Sequence, residues 1–344
     1  MQTIDASHGE GGGQVLRTAL ALSVALGRPV RLEHVRARRP RPGLQPQHLT
    51  VVRALAAISD AEVAGDTLGS TEVTLSPRTL RGGTYRFDIG AIRGSAGSVS
   101  LLLQALLLPL SLAAQPSRLL LRGGTHVPWS PPVSYLTAVF VPALAHTGVG
   151  AAVTLDRWGW YPAGGGEVDI SIAPGGPRHA IRWERRTGAP VIEGVSAVSR
   201  LPRSIAERQR ARALERLAAV GLSGAIALVE DHTAPGPGTL AMLTATGESA
   251  AAGFSALGRR GVRAETVADE AVDPLLEYLA SGATVDDHLA DQLLPFLALA
   301  DAPSVFTCPR LSTHLRTVAW LIEQMLPVRV TFHEGRPARV EVGR

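Results

Sequence analysis

The 344-residue chain contains no lysine, and all 34 of its basic residues are arginine. A GC-rich coding bias accounts for that without functional selection, but the chemical exclusion holds whatever its cause. Without lysine there is no Walker-type phosphate lysine, no Schiff base and no lysine to adenylylate, so any covalent catalysis uses another side chain. Cysteine occurs once, at Cys308, which excludes an intramolecular disulfide and any multi-cysteine metal site. Residues 1–13 are polar and glycine-rich and lack the basic start and apolar run of a signal peptide, so a reducing, cytoplasmic setting is expected. Long apolar runs are missing as well. The most apolar stretch, 101–114, is interrupted by Gln104 and Pro109 and is shorter than the ~20 residues a membrane span needs, so it reads as a buried helix.

What is present is an ordinary globular composition, 45% hydrophobic and 19% charged, at a length that accommodates two domains or one domain with an insertion. Three stretches share one order of elements: an apolar helix, a strand, a polar loop, a second helix and a closing strand pair. In the first copy the pattern predicts helices over 14–26 and 47–59, a strand over 29–34 and a hairpin over 61–75. The second has helices over 98–113 and 133–146, a strand over 118–122 and two strands flanking a glycine-rich turn at Gly164. The third has helices over 287–300 and 313–325, a strand over 304–308 and a hairpin over 327–342 turning at Gly335. Between the last two copies lies a segment with its own order of strand, helix, strand, strand, helix. The expected fold is therefore mixed α/β (α+β): a large domain of three helix-strand repeats, 1–182 and 280–344, with a smaller α/β domain inserted at 183–279. The arginine- and glutamate-rich helix expected over 204–220 reads as a solvated face rather than a binding patch, and 234–239 as an irregular loop.

Five segments concentrate polar chemistry. The run from His8 through Glu10, Gln14 and Arg17 sets a carboxylate, an amide and a guanidinium around glycines that open a helix. Helix-start N–H groups attract anions, Arg17 can fork onto phosphate oxygens and Glu10 can hold a divalent metal. The loop from Arg36 to His48 packs four arginines into six positions and is stiffened by Pro40 and Pro42, which lowers the entropy lost in gripping a phosphate. Aromatic residues are scarce in it, which points to a reader of a terminal phosphate rather than a long single-strand platform. A third glycine element, 93–98, opens the helix that carries Gln104, an amide that needs partners if buried. A fourth, 158–167, has three successive glycines after a proline, as where a backbone passes closely against another chain segment or a ligand.

The fifth segment pairs His288-Leu289-Ala290-Asp291-Gln292 with a helix start at Leu311-Ser312-Thr313-His314. Ser312 or Thr313 can cap that helix, whose positive end disfavours imidazolium and so favours a neutral, nucleophilic His314. Histidines at such positions are more often structural. His48 occupies the equivalent repeat position, so position alone does not choose between the two. Cys308, six residues before His314, is a third candidate, although a cysteine on an apolar strand usually belongs to the core.

Taken in order along essentially the whole chain, these segments resemble the RNA 3′-terminal phosphate cyclases. The resemblance rests on Gly-Glu-Gly-Gly-Gly-Gln at 9–14, the 36–48 loop, Gly-Ser-Ala-Gly-Ser at 94–98, Gly-Gly-Thr at 123–125, Tyr-Pro-Ala-Gly-Gly-Gly at 161–166 and Leu-Ala-Asp-Gln at 289–292. It implies ATP and a divalent metal, Mg²⁺ or Mn²⁺, as cofactors and RNA with a 3′-phosphate end as partner. His314 would accept AMP from ATP and pass it to the RNA phosphate, and the neighbouring 2′-hydroxyl would then close a 2′,3′-cyclic phosphate. By the same match Gln104, the His288–Gln292 segment and Gln14 would contact ATP, Glu10 would hold the metal, and Arg17, Arg36, Arg39 and Gln47 would grip the RNA phosphate. The chain departs from the family pattern at His126, at Trp158 and in extra residues at 91–93. Two rival readings share the fold. A non-catalytic relative would lack the nucleophilic histidine, and an enolpyruvyl transferase usually enlists lysines at its anion sites.

Overall fold

The computed structural model describes residues 1–344 except Arg93, Ser95, Ser249 and Arg344, so two residues of the 93–98 element lie outside the described set. The first repeat runs β1 (Gln2–Asp5), α1 (Gly13–Leu26), β2 (Val30–Glu33), α2 (Pro46–Ser59), β3 (Glu62–Ala64) and β4 (Val73–Ser76). The second runs β5 (Thr84–Asp88), α3 (Val99–Leu110), β6 (Ser117–Gly123), α4 (Val133–Tyr135), continued by a π-turn (Leu136–Phe140) into α5 (Val141–Ala145), then β7 (Ala151–Arg157) and β8 (Gly166–Ile172). The third opens with β9 (Arg182–Trp183). It resumes only after β10 (Val191–Ser199), α6 (Arg203–Ala219), β11 (Ala225–Asp231), β12 (Gly238–Thr246), β13 (Ala251–Leu257) and α7 (Ala264–Ser281). It then closes through α8 (Asp287–Leu297), β14 (Ser304–Cys308), α9 (Thr313–Met325), β15 (Arg329–His333) and β16 (Ala338–Gly343).

Each repeat builds one four-stranded mixed sheet of the same topology, in orders β1-β2-β4-β3, β5-β6-β8-β7 and β9-β14-β16-β15. In each sheet the first pair is parallel and the other two are antiparallel. The repeat unit is thus one strand longer than the sequence pattern gave, because β1, β5 and β9 precede the first helix. Trp183, placed in the insertion from sequence, pairs with Phe306 in the third sheet. The insertion forms its own sheet, β11-β10-β12-β13, with three strands rather than two between its helices. Part of the stretch expected as an irregular loop is strand, since β12 begins at Gly238.

Apolar faces of the repeat helices meet in one core. Helix α1 packs on α2, α3 and α9, and α8 packs on α3 and α9. Leu16, Leu20, Leu55, Leu102, Leu106, Leu293 and Leu321 are fully enclosed there. The charged face of α6, expected from sequence as a solvated face, is instead ion-paired along α7. Arg208 forks onto Glu265 at 2.8 Å through both nitrogens, Arg212 and Arg216 both reach Asp269, and Arg216 also reaches Asp273. The arginines recur every four residues, so one stripe of α6 zips against one stripe of α7. We expect Arg212→Ala/Arg216→Ala to lower stability in low salt and to lower it less in 1 M salt. Chemical denaturation at the two ionic strengths checks this.

Candidate functional site

The three repeats bring helices α1, α3 and α8 around one cleft with about 520 Å³ of open space. Counting from the first residue of each helix, the sixth is Thr18 in α1, Gln104 in α3 and Gln292 in α8, and all three line the cleft. The internal repeat thus aims three equivalent positions at one point. Gln14, Arg17 and Asp291 complete its polar wall, and Leu108, Phe140 and Phe296 are among its apolar lining. Gln14 Nε2 donates to Asp291 Oδ2 at 2.9 Å. Gln104 Nε2 and Gln292 Oε1 are buried without a hydrogen-bond partner among the described residues. A buried donor and a buried acceptor left unmade are costly, which marks the cleft as a site for a polar ligand.

Two charges in the wall are strongly perturbed. Burial pushes the Arg17 guanidinium down to about 10, against the opposing pull of Asp291. Burial, with Asp286 nearby, pushes the Asp291 carboxyl up to about 7, while Arg17 and Gln14 act the other way. Of the His288–Gln292 segment, only Asp291 and Gln292 face the cleft. Leu289 and Ala290 are core residues, and His288 is exposed.

A second cluster joins opposite ends of the chain. His314 is the second residue of α9, whose cap is Ser312, with Oγ accepting from Leu315 N at 3.1 Å. Its Nε2 lies 3.1 Å from Glu10 Oε2, and Arg39 Nη2 donates to the same carboxylate at 3.1 Å. Partial burial pushes the Glu10 carboxyl upward, but His314 and Arg39 outweigh it and hold it below its ordinary value. Glu10 is a single carboxylate, and among the described residues no group of three or more His, Cys, Asp or Glu converges on a metal position. That suits an ion such as Mg²⁺, which takes most of its ligands from phosphates and water.

The structure separates the two histidines that sequence position left equivalent. His48 is tied to its own helix start, with Nδ1 accepting from Gln45 N at 3.3 Å. Burial first, then Arg36 and Arg17, pushes its pKa down to about 3. It is therefore neutral, and with Nδ1 an acceptor its proton sits on Nε2. A Cβ on Gly13 would lie 2.5 Å from that Nε2 and 2.8 Å from Arg17 Nη1, so only glycine lets α1 begin beside these two donors. Gln47 Oε1 accepts from Ser98 N at 3.1 Å, joining the basic loop to the start of α3. Arg36 uses Nη1 to brace its own loop on the carbonyls of Arg41 and Gly43.

Cys308 is fully buried, with Sγ 3.3 Å from Arg310 O, and burial beside Asp287 pushes its thiol up to about 12. A thiol so protonated is a poor nucleophile. Cys308→Ser is expected to cost about 1 kcal/mol of stability, as chemical denaturation can verify.

Two of the positions that depart from the family pattern touch each other. His126 stacks on Trp158 at 4.2 Å between ring centres, is buried, and hydrogen-bonds Thr125 and Ser134. Neither residue lines the cleft. Asp286 is a residue that sequence reading did not single out. Buried at the cap of α8, it accepts from His288 N, Leu289 N, Gly253 N and Tyr135 OH, joining α4, α8 and the inserted sheet. An aspartate just before a helical run was a readable cap signal. Its links to Gly253 and Tyr135 had none.

Comparisons with known proteins give the family. The family model described as RNA 3′-terminal phosphate cyclase matches residues 8–332. The chain is 46% identical to the RNA 3′-terminal phosphate cyclase of Methylococcus capsulatus, over 95% of this chain and 91% of that one. It is 44% identical to that of Gloeothece citriformis over 94% and 93%, and 40% identical to that of Pyrobaculum neutrophilum over 97% and 95%. The chain belongs to the RNA 3′-terminal phosphate cyclase family.

Proposed function

We propose that this chain is an ATP-dependent ligase that converts an RNA 3′-phosphate to a 2′,3′-cyclic phosphate through a covalent His314–AMP intermediate and an RNA adenylate. The observation that carries the reading is the His314–Glu10 pair at 3.1 Å, set at a helix start with Arg39 beside it. Glu10, held anionic, accepts a hydrogen bond from the ring Nε2–H, which leaves the Nδ1 lone pair free to attack the α-phosphorus of ATP, with pyrophosphate leaving and the carboxylate offsetting the positive charge gained by the ring. An oxygen of the RNA 3′-phosphate then attacks the same phosphorus and the imidazole leaves. Finally the 2′-hydroxyl attacks the 3′-phosphorus and AMP leaves. Arg17, Arg36 and Arg39 offset charge on the phosphoryl oxygens, and the neutral His48 Nε2–H adds a donor beside Arg17. Gln104 Nε2 and Gln292 Oε1 are complementary to the acceptors and donors that a nucleotide carries. A divalent metal held at Glu10 would supply further charge neutralisation.

The test is incubation with α-labelled ATP and Mg²⁺ or Mn²⁺, followed by an oligonucleotide ending in either a 3′-phosphate or a 3′-hydroxyl. We expect an acid-labile protein–AMP adduct that only the 3′-phosphorylated oligonucleotide discharges, giving a cyclic phosphate end. Absence of the adduct with both metals would overturn the reading.

A further inference from the structure

The segment that carries Glu10 is docked on α9 one residue at a time. Three consecutive residues, His8, Gly9 and Glu10, meet Trp320, Thr317 and His314, which are spaced by three along that helix. The His8 ring stacks on the Trp320 indole at 3.8 Å between centres and 11° between planes. Gly9, at φ +63°, comes so close to α9 that a Cβ there would lie 2.2 Å from Thr317 Oγ1. Glu10 Oε2 then reaches His314 Nε2 at 3.1 Å. The turn is closed by Gly11 N donating to His8 O at 3.2 Å, and its outer side is held by Arg38 Nη1 on Gly9 O at 3.2 Å.

We infer that His8 and Trp320 are positioning residues for the histidine transfer proposed above: their stack fixes the turn against α9 and so sets Glu10 on His314. Neither residue lines the cleft, and among the described residues no hydrogen bond or ion pair joins either ring to Glu10 or His314, so both act through the placement of Glu10. The turn is otherwise tethered through backbone contacts, the Gly9–Thr317 approach, Arg38 on Gly9 O and Arg39 on the Glu10 carboxylate, and the two parallel rings add a broad face-to-face contact that resists rotation of the turn on α9. A shift of about 1 Å in a reacting group can lower a rate by about 100-fold.

The inference rests on His314 being the residue that takes AMP, and its test reads the turn both through the chemistry and independently of it. Self-adenylylation is followed in His8→Ala, Trp320→Ala, the double variant and the stacking-competent His8→Phe and Trp320→Phe. The expected result is a rate at saturating ATP lowered about 10- to 100-fold in the alanine variants, with the half-saturating ATP concentration unchanged. The double variant should be no worse than the poorer single one, and the phenylalanine variants should be near wild type. In parallel, the imidazole ¹⁵N resonance of His314, identified by its loss in His314→Gln, is compared with that in Glu10→Gln. In Trp320→Ala it should move toward the Glu10→Gln position, and in Trp320→Phe it should stay. A His314 resonance unmoved in Trp320→Ala, or equal effects of Ala and Phe at position 320, would overturn the inference. If the wild-type protein forms no adduct, the functional reading fails, and the resonance still decides whether the stack places Glu10.

Discussion

Replacing His314 with alanine is expected to lower protein–AMP formation by at least about 10³-fold while leaving the fold intact. The two halves of that expectation have separate grounds. Removal of a nucleophile takes away the bond-forming group, and no lysine exists to substitute for it. The fold is spared because the His314 side chain is 48% exposed and the cap of α9 is Ser312, so the change in stability should stay within about 0.5 kcal/mol. His314→Gln sharpens the test, since it keeps a polar group facing Glu10 but cannot form a stable phosphoramidate. His48→Ala provides the contrast, because His48 is locked to Gln45 and lies beside Arg17. It should weaken discharge to RNA and still allow labelling. Labelling assays with unfolding curves on all three proteins decide the matter, and a labelled His314→Ala with an unlabelled His48→Ala would reverse the roles.

The largest effect on stability is expected at Asp286. Its carboxylate accepts from three backbone N–H groups and the Tyr135 hydroxyl, all in a buried setting. Asp286→Ala would leave those donors without an acceptor and remove the cap of α8, for a loss of about 3–5 kcal/mol. Asp286→Asn keeps one acceptor oxygen and should recover part of it. Thermal unfolding monitored by circular dichroism reads both. Because α8 also carries Asp291 and Gln292, the alanine variant should bind nucleotide poorly even at temperatures where it remains folded.

Much of the fold was legible because helices announce themselves by period and caps. The expected bounds of α9 and β14 coincide with the observed Thr313–Met325 and Ser304–Cys308. The strands that open each repeat were not legible. Strand β9 is two residues long, and β5 has no fully buried residue to set an alternating pattern. Their pairing depends on partners far along the chain, which local propensity does not encode. At the site, residue types were readable and contacts were not. Glu10 and His314 meet across almost the whole length of the chain, and the stack of His8 on Trp320 has no counterpart in either local pattern. The segment 288–292 teaches the reverse lesson. A helix turns by 100° per residue, so five consecutive residues cannot all face one cleft, and the burial of Leu289 and Ala290 followed from apolar spacing alone.

The split third repeat bears on how the molecule is made. Trp183 leaves the ribosome 123 residues ahead of its sheet partner Phe306, and the whole segment from β10 to α7 is synthesised between them. The first two sheets and the inserted sheet can each close from chain already released, whereas the third sheet waits for β14, β15 and β16 at 304–343. An insertion that folds first brings its own ends together and shortens the span the third sheet must close, and each halving of a flexible loop saves only about 0.6 kcal/mol. The repeat that closes across the insertion is the one whose helix α9 bears His314. A chain halted before α9 can hold the arginine loop and helices α1 and α3 of the cleft but lacks His314, and under the function proposed above it should form no protein–AMP adduct.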